Sequence, residues 1–322
     1  MSVLVTGGAG YIGSHVVRLL QLQDADVVVV DDLSSGDAER IGDASLIELD
    51  LSSDGAQGTL EMVLEERNVE AVIHFAAQKQ VGVSMERPMF YYRQNVGGMV
   101  NLLAAMETSG VQRLVFSSSA AVYGMPDVAM VTENTQCSPI NPYGETKLIG
   151  EWMVSRAAAA WGLRAASLRY FNVAGAGWDD LGDPTAFNLV PIVFNALAAG
   201  QAPKVFGADY PTPDGTCIRD YVHVLDLAEA HVSALEFTKD EAAGHGVFNI
   251  GTGTGSSVLE VITSVETATG QDITTEIVAR RAGDPAQLVA DVSRAQKVLG
   301  WTAHHGLDET VDSAWKAFGA NR

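Results

Sequence analysis

The chain opens with the pattern that most restricts its fold. A short apolar run, Val3–Thr6, passes directly into Gly7-Gly8-Ala9-Gly10-Tyr11-Ile12-Gly13, and helical periodicity follows. Gly8, Gly10 and Gly13 match the G-x-G-x-x-G spacing, while Gly7, Gly10 and Gly13 recur at every third residue. Both spacings answer one demand. Glycine permits the tight turn, lets backbone approach a pyrophosphate, and allows the helix to lie close on the strand. The helix N-terminus then offers oriented N–H groups to phosphate oxygens. A ligand-free glycine turn is the alternative, but here strand, glycines, helix and an acid come in order. The acid is Asp31, closing the second strand, where a carboxylate accepts from adenosine ribose hydroxyls and repels a 2′-phosphate. That favours NAD over NADP. Asp50, after the third strand, reads equally as an adenine ligand or as a turn cap.

Apolar and β-branched runs continue at Asp26–Val30, Ser45–Leu49, Ala71–Phe75, Arg113–Ser117 and Arg164–Leu168. Helical stretches at Ile12–Leu22, Gly58–Arg67, Pro88–Thr108 and Tyr143–Trp161 alternate with them. This alternation predicts an α/β fold with a doubly wound, parallel, Rossmann-type sheet. Beyond Asn172 the pattern breaks into short elements rich in Gly, Pro and Asp. The division expected is a cofactor domain over residues 1–172 and a smaller C-terminal α/β substrate lobe over residues 173–322. A strand and helix near 221–237 are candidates to return to the first. With 322 residues, 47% of them hydrophobic, a sizeable core is available. The net charge of −20 makes nucleic acid and anionic membranes poor partners. Any anionic ligand must then be held by a few local cations and backbone N–H groups. Cys137 and Cys217 form neither a disulfide framework nor a metal cluster, and the adjacent His304 and His305 read as solvated residues. The N-terminus lacks the features of a secretory signal and no apolar run is long enough to span a membrane, so a cytoplasmic protein is expected.

Tyr143 and Lys147 share one helical face because they lie four residues apart. A free tyrosine loses its proton near pH 10; bringing that to about 7 needs roughly 4 kcal/mol of differential stabilisation. A neighbouring ammonium and a bound nicotinamide cation both push in that direction. Ser117-Ser118-Ser119 ends the fifth strand at the sheet edge that faces ligands, where a hydroxyl can relay a proton or hold a substrate oxygen. Taken alone, the tyrosine and lysine are an ordinary helix pair and the serines are loop polarity.

These motifs, with His74-Phe75-Ala76-Ala77, Asn95-Val96-Gly97-Gly98, Arg169-Tyr170-Phe171-Asn172, Arg219-Asp220-Tyr221-Val222-His223 and the segment 280–291, resemble the extended short-chain dehydrogenase/reductase superfamily. Within it the chain is most similar to the UDP-glucose (UDP-galactose) 4-epimerase family, nearly end to end. The resemblance implies that Tyr143 is the base, that Lys147 tunes it, and that Ser119 sits beside the sugar C4 oxygen. It implies NAD contacts at Gly7, Gly10, Tyr11, Ile12, Gly13, Asp31, Asp50, Leu51, Phe75, Ala76, Lys79, Asn95, Ser117, Tyr143, Lys147 and Tyr170. It places a UDP-sugar against Ser119, Tyr143, Asn172, Asn188, Leu189, Phe206, Arg219, Tyr221, Arg281 and Asp284. Read without it, Arg219 and Arg281 are surface ion-pair candidates, Asn188 and Asp284 read equally as uridine or ribose ligands or as turn caps, and Phe206 reads as core rather than as a platform for uracil.

The activity implied is removal and return of a C4 hydride through a 4-keto sugar, with the UDP gripped firmly and the hexose loosely. Nucleotide-sugar 4,6-dehydratases share the cradle and the Tyr/Lys pair, but their family places Asp-Glu where this chain has Ala120 and Ala121. A non-catalytic NAD-binding sensor is the rival of another class, and such sensors typically lack the Tyr/Lys pair. Leu288 stands where some members carry a pocket-closing tyrosine, which suits either N-acetylated UDP-sugars or simple core packing. Val83 and Lys204 also depart from the family pattern. The family is usually homodimeric through helices matching Pro88–Thr108 and Tyr143–Trp161.

Overall fold

Val3, Leu4 and Val5 are all completely shielded from solvent, so both faces of the first strand are covered. The computed structural model describes residues 1–185, 187–281 and 283–320. Its strands are β1 (Ser2–Thr6), β2 (Asp26–Asp31), β3 (Ser45–Glu48), β4 (Ala71–His74), β5 (Arg113–Ser117), β6 (Met130–Val131) and β7 (Arg164–Tyr170). They continue with β8 (Asn172–Ala174), β9 (Lys204–Phe206), β10 (Ile218–His223), β11 (His245–Ile250), β12 (Gly255–Ser257), β13 (Glu276–Val278) and β14 (Gln287–Ala290). Seven of them form a parallel sheet in the order β11-β7-β5-β4-β1-β2-β3. The chain winds outward from β1 through β2 and β3, then restarts on the other side at β4. Ligand crevices in such sheets open at the carboxyl ends of the strands where the winding reverses, here β1 and β4.

The helices are α1 (Tyr11–Leu22), α2 (Ala56–Glu66), α3 (Val81–Glu86), α4 (Pro88–Tyr91), α5 (Gly98–Ser109), α6 (Pro142–Trp161), α7 (Leu189–Ala198), α8 (Val224–Phe237), α9 (Val258–Thr269), α10 (Ser293–Leu299) and α11 (Leu307–Ala320). One face of the sheet is covered by α1 and α8, whose Val16, Leu20, Leu227 and Leu235 pack on Val3, Val5 and Ile73. The other face is covered by α2, α5 and α6 through Leu60, Leu102 and Val154. The helix expected over Pro88–Thr108 is divided: a π-helical turn over Tyr92–Gly97 separates α4 from α5. Such turns re-aim side chains, and Asn95 within this one is buried.

A second sheet runs β12-β10-β14-β6, with β8 also paired to β10, and a third joins β13 to β9. β10 is shared along its length. Ile218 and Arg219 pair with β12 and β14, whereas Tyr221 to His223 pair with β8. His304 is exposed as expected, whereas His305 is only partly so. Its Nδ1 lies 2.7 Å from the wholly buried Asp226, and its ring stacks on His223 at 4.2 Å.

Candidate active site

Glycine shapes the first wall of the site. Gly7 holds φ +71°, and a Cβ there would lie 2.6 Å from the Ala76 nitrogen. A Cβ on Gly13 would lie 2.2 Å from the Gly7 carbonyl oxygen. α1 begins at Gly10 with no side chain capping it, so its first-turn N–H groups remain for a ligand. Gly7, Gly10, Tyr11, Ile12 and Gly13 face a cleft whose other walls carry Asp31, Asp50, Leu51, Phe75, Ala76, Lys79, Tyr143, Lys147 and Tyr170. Asp31 accepts from the Ala9 and Leu33 N–H groups, both at 3.0 Å, and burial pushes its carboxyl upward. Burial also pushes Asp50 up, but the Ser52 N–H and the Gln94 amide outweigh it and hold the carboxyl low. A phosphate cradle that tolerates no Cβ at Gly7 or Gly13, beside a carboxylate at the end of β2, fits a dinucleotide with free ribose hydroxyls.

Two residues assigned to this cleft stand behind it. Asn95 accepts from the Gln78 N–H at 2.7 Å and donates to the Gln78 carbonyl and to Thr146, so it clamps the loop after β4. Ser117 is fully buried, and its contribution is a carbonyl that accepts from Lys147 Nζ at 2.7 Å. Asp32, Ser34, Ser35, Gly36, Gln78 and Gln94 also line the cleft, and sequence reading passed them over. The polar Ser34-Ser35-Gly36 run just past β2 was the available signal, since that edge faces ligands.

α6 begins with Asn141, whose side chain accepts from the Gly144 N–H at 2.9 Å, and Pro142 follows as first helical residue. This start fixes Tyr143 at the mouth of the helix, where Ser119 and Tyr170 stand beside its hydroxyl. Burial raises the Tyr143 phenol above its usual value, Ser119 draws it down, the nearby Tyr91 raises it, and Tyr170 draws it down. The Lys147 ammonium lies 6.0 Å from the Tyr143 ring centre and 5.2 Å from that of Phe116. Burial pulls Lys147 down to about 7, opposed by the Glu151 carboxylate. In the cofactor-free chain burial outweighs the pull of Ser119 and Tyr170 on the phenol.

One turn beyond Lys147, Glu151 is locked to Arg169. Arg169 donates to both carboxylate oxygens at 2.9 and 2.6 Å, and both side chains are almost completely buried. Ser118 donates to the same carboxylate, and Arg169 reaches Tyr123, which bonds Asn249 of β11.

A second cavity of about 580 Å³ lies across the sheet edge. Asn172, Asn188, Leu189, Phe206, Arg219, Tyr221, Arg281 and Asp284 all line it, as do Phe187, Ile192, Lys204 and Cys217. Arg219 lies 3.5 Å from Asp284 and donates to the Ile218 carbonyl. The Arg281 guanidinium covers the Phe206 ring at 3.8 Å, and Asn188 donates to Asp183. Tyr170 lines the first cleft and Asn172, two residues further on, lines the second. Among the described residues no group of His, Cys, Asp and Glu is arranged to hold a metal ion, and no helix is long and apolar enough to cross a membrane.

The model of the NAD dependent epimerase/dehydratase family matches residues 3–251, from β1 to the end of the parallel sheet. The chain belongs to this family. A UDP-glucose 4-epimerase of Corynebacterium glutamicum is 46% identical over 321 residues, spanning 98% of this chain and 95% of the relative. One of Azospirillum brasilense is 45% identical, spanning 97% and 90%. Among solved members of this epimerase/dehydratase family, the UDP-glucose 4-epimerase of Stenotrophomonas maltophila, with bound NAD and formylated UDP-arabinopyranose, superposes with a TM-score of 0.94. It is 43% identical, covering 100% of this chain and 98% of that one. The Bifidobacterium longum enzyme in complex with NAD+ and UDP gives 0.92 at 38% identity, covering 100% and 99%.

Proposed function

We propose that this chain is an NAD-dependent isomerase that reversibly inverts C4 of UDP-glucose and UDP-galactose, a step of galactose metabolism. The observation that carries this reading is Tyr143, which lines the dinucleotide cleft with Lys147 and Tyr170 and has Ser119 beside its phenol, while Asn172, just past Tyr170, lines a second, cationic cavity. Bound NAD supplies a hydride acceptor for C4 and the positive charge that the buried phenol lacks. Tyr143 takes the C4 hydroxyl proton as general base and returns it to the inverted oxygen. Ser119 steadies that oxygen, and Lys147 holds the phenol's environment positive. Asn172, Asn188, Leu189, Phe206, Arg219, Tyr221, Arg281 and Asp284 grip the UDP, with the arginine forks suited to diphosphate. A uracil stacked on Phe206 takes the face that Arg281 now covers, freeing Arg281 for the diphosphate. Binding energy is thus spent on the non-reacting half, which leaves the hexose free to turn. The cofactor work is assigned to residues 1–172 with the returning helix α8, and the nucleotide-sugar grip to residues 173–322, in which Tyr221 to His223 of β10 stay with β8.

Tyr143→Phe tests the assignment. Purified protein offered UDP-galactose without added NAD should form UDP-glucose, whereas the variant should lose at least about 100-fold in kcat while keeping its NAD. An undiminished rate would remove Tyr143 from this role. A homodimer through α4, α5 and α6 is part of the proposal, supported by Met89, Val100 and Trp152, which stand 70%, 51% and 59% exposed on those helices. Light scattering should give a dimer for the wild type and a monomer for Trp152→Asp; equal masses would refute that interface.

A further inference from the structure

His231, on α8, is fully buried and has no place in the chemistry above. Its Nδ1 lies 2.8 Å from the Leu227 carbonyl, which can only accept, so the ring proton sits on Nδ1. Nε2 is then the acceptor, and Ser117 Oγ donates to it at 2.6 Å. The same residue's carbonyl receives the Lys147 ammonium at 2.7 Å. Ser117 therefore stands between a ring nitrogen and the cation beside Tyr143. The imidazole also packs on two side chains of the cofactor cleft, with ring centres 4.6 Å from Phe75 and 6.4 Å from Tyr170. A hydrophobic side chain would fill this space, yet the sequence places there a ring whose two nitrogens are both spent. Burial, reinforced by Lys147, holds the imidazole down at about 4, so it stays neutral and in one tautomer near neutral pH.

We propose that His231 is a positioning residue: from behind the sheet it locks Ser117, and with it Lys147, Phe75 and Tyr170, at the end of the cleft where Tyr143 works. The proposal rests on the catalytic reading of Tyr143 and Lys147, but its effect on cofactor binding does not. Without the Nε2 acceptor, the Ser117 hydroxyl is free to rotate and the β5 terminus that carries the Lys147 acceptor loosens. Misplacement of a catalytic group by about 1 Å is worth on the order of 100-fold in rate.

The test compares His231→Phe, which keeps a ring but no acceptor, with His231→Gln, which restores an acceptor, and with Ser117→Ala, which removes the donor at little change in volume. Three quantities are read: kcat and KM for UDP-galactose from pH 6 to 9, the NAD dissociation constant of stripped protein, and the thermal midpoint. His231→Phe should lower kcat by about 10- to 100-fold, move the ionisation limb of the kcat profile, and weaken NAD binding, with KM nearly unchanged. His231→Gln should recover most of each loss. Ser117→Ala should reproduce the shift of the limb, and the Phe/Ala double variant should add nothing to either. Additive effects in the double variant would overturn the proposal, as would an unmoved profile and NAD affinity in a folded His231→Phe. If the wild type proved not to epimerise, the NAD measurements alone would still decide the role of His231.

Discussion

Replacing Lys147 with Met should make the cofactor-free protein more stable while disabling it. In the fold the ammonium is buried and its proton is held only to about pH 7, against 10.5 for a free lysine. That difference corresponds to about 5 kcal/mol disfavouring the charged form in the native state. Below about pH 7 both folded and unfolded chains carry the proton, so the native state bears the whole penalty. Between about 7 and 10.5 only the unfolded chain retains it, and native stability rises by about 1.4 kcal/mol per pH unit from this group. Methionine has a comparable reach, but the Ser117 carbonyl loses its charged donor at 2.7 Å, a loss of about 1–3 kcal/mol. The net gain for Lys147→Met is then roughly 2–4 kcal/mol at pH 6.5. By pH 9 the wild type has recovered about 3 kcal/mol, and the gap should have closed. Urea unfolding of NAD-stripped proteins at pH 6.5, 7.5 and 9 measures it, and epimerisation by the variant should fall at least about 100-fold. A stability difference that does not change with pH, or a variant weaker throughout, would refute the placement of an ammonium in a desolvated site.

Gly13→Ala drives a methyl to 2.2 Å from the Gly7 carbonyl oxygen; the variant should purify without NAD, and full cofactor content by absorbance and chromatography would contradict the cradle. Glu151→Gln leaves the Arg169 cation buried and without its carboxylate partner, so unfolding free energy should drop by about 3–5 kcal/mol. The same change removes the carboxylate that opposes the lowering of Lys147, so the lysine's limb of the pH–rate profile should move toward acid; a move toward alkali would reverse the sign of the interaction. Leu288 pairs in register with Arg219 and packs beside Ala120 and Phe171. On the reading that this position sets room for an N-acetyl group, Leu288→Tyr should cut any conversion of UDP-GalNAc relative to UDP-galactose by about tenfold or more, whereas equal losses on both would make the residue simple packing.

The strands that begin the sheet were legible because burial on both faces demands unbroken apolar runs, and β1, β2, β4 and β5 carry them. The glycines and the Tyr143/Lys147 pair were legible because their constraint is local, within one turn of helix. β11 was not, since His245-Gly246-Val247-Phe248-Asn249-Ile250 gains its place only by pairing with β7, far away in sequence. The π-helical turn was hidden because helix runs on both sides of it, so the periodicity reads as continuous. Ser117 was found at the end of β5 and Asn95 through the family resemblance, yet their work lies in a carbonyl and a loop clamp. Spacing cannot say whether a side chain faces a ligand or braces what does. His231 and Asp226 carry no local signal, because their partners sit on other elements.

β6, from late in the first half of the chain, zips onto β14, while β11 crosses back to finish the parallel sheet after β10 has already joined β8. The two halves of the molecule are therefore braided rather than strung in series. Grafting the nucleotide-sugar grip of one family member onto the cofactor half of another cannot be done with a single splice after residue 172. Such a chimera must carry residues 130–131, 224–237 and 245–250 with the half they complete, or it will expose raw sheet edges on both sides of the seam.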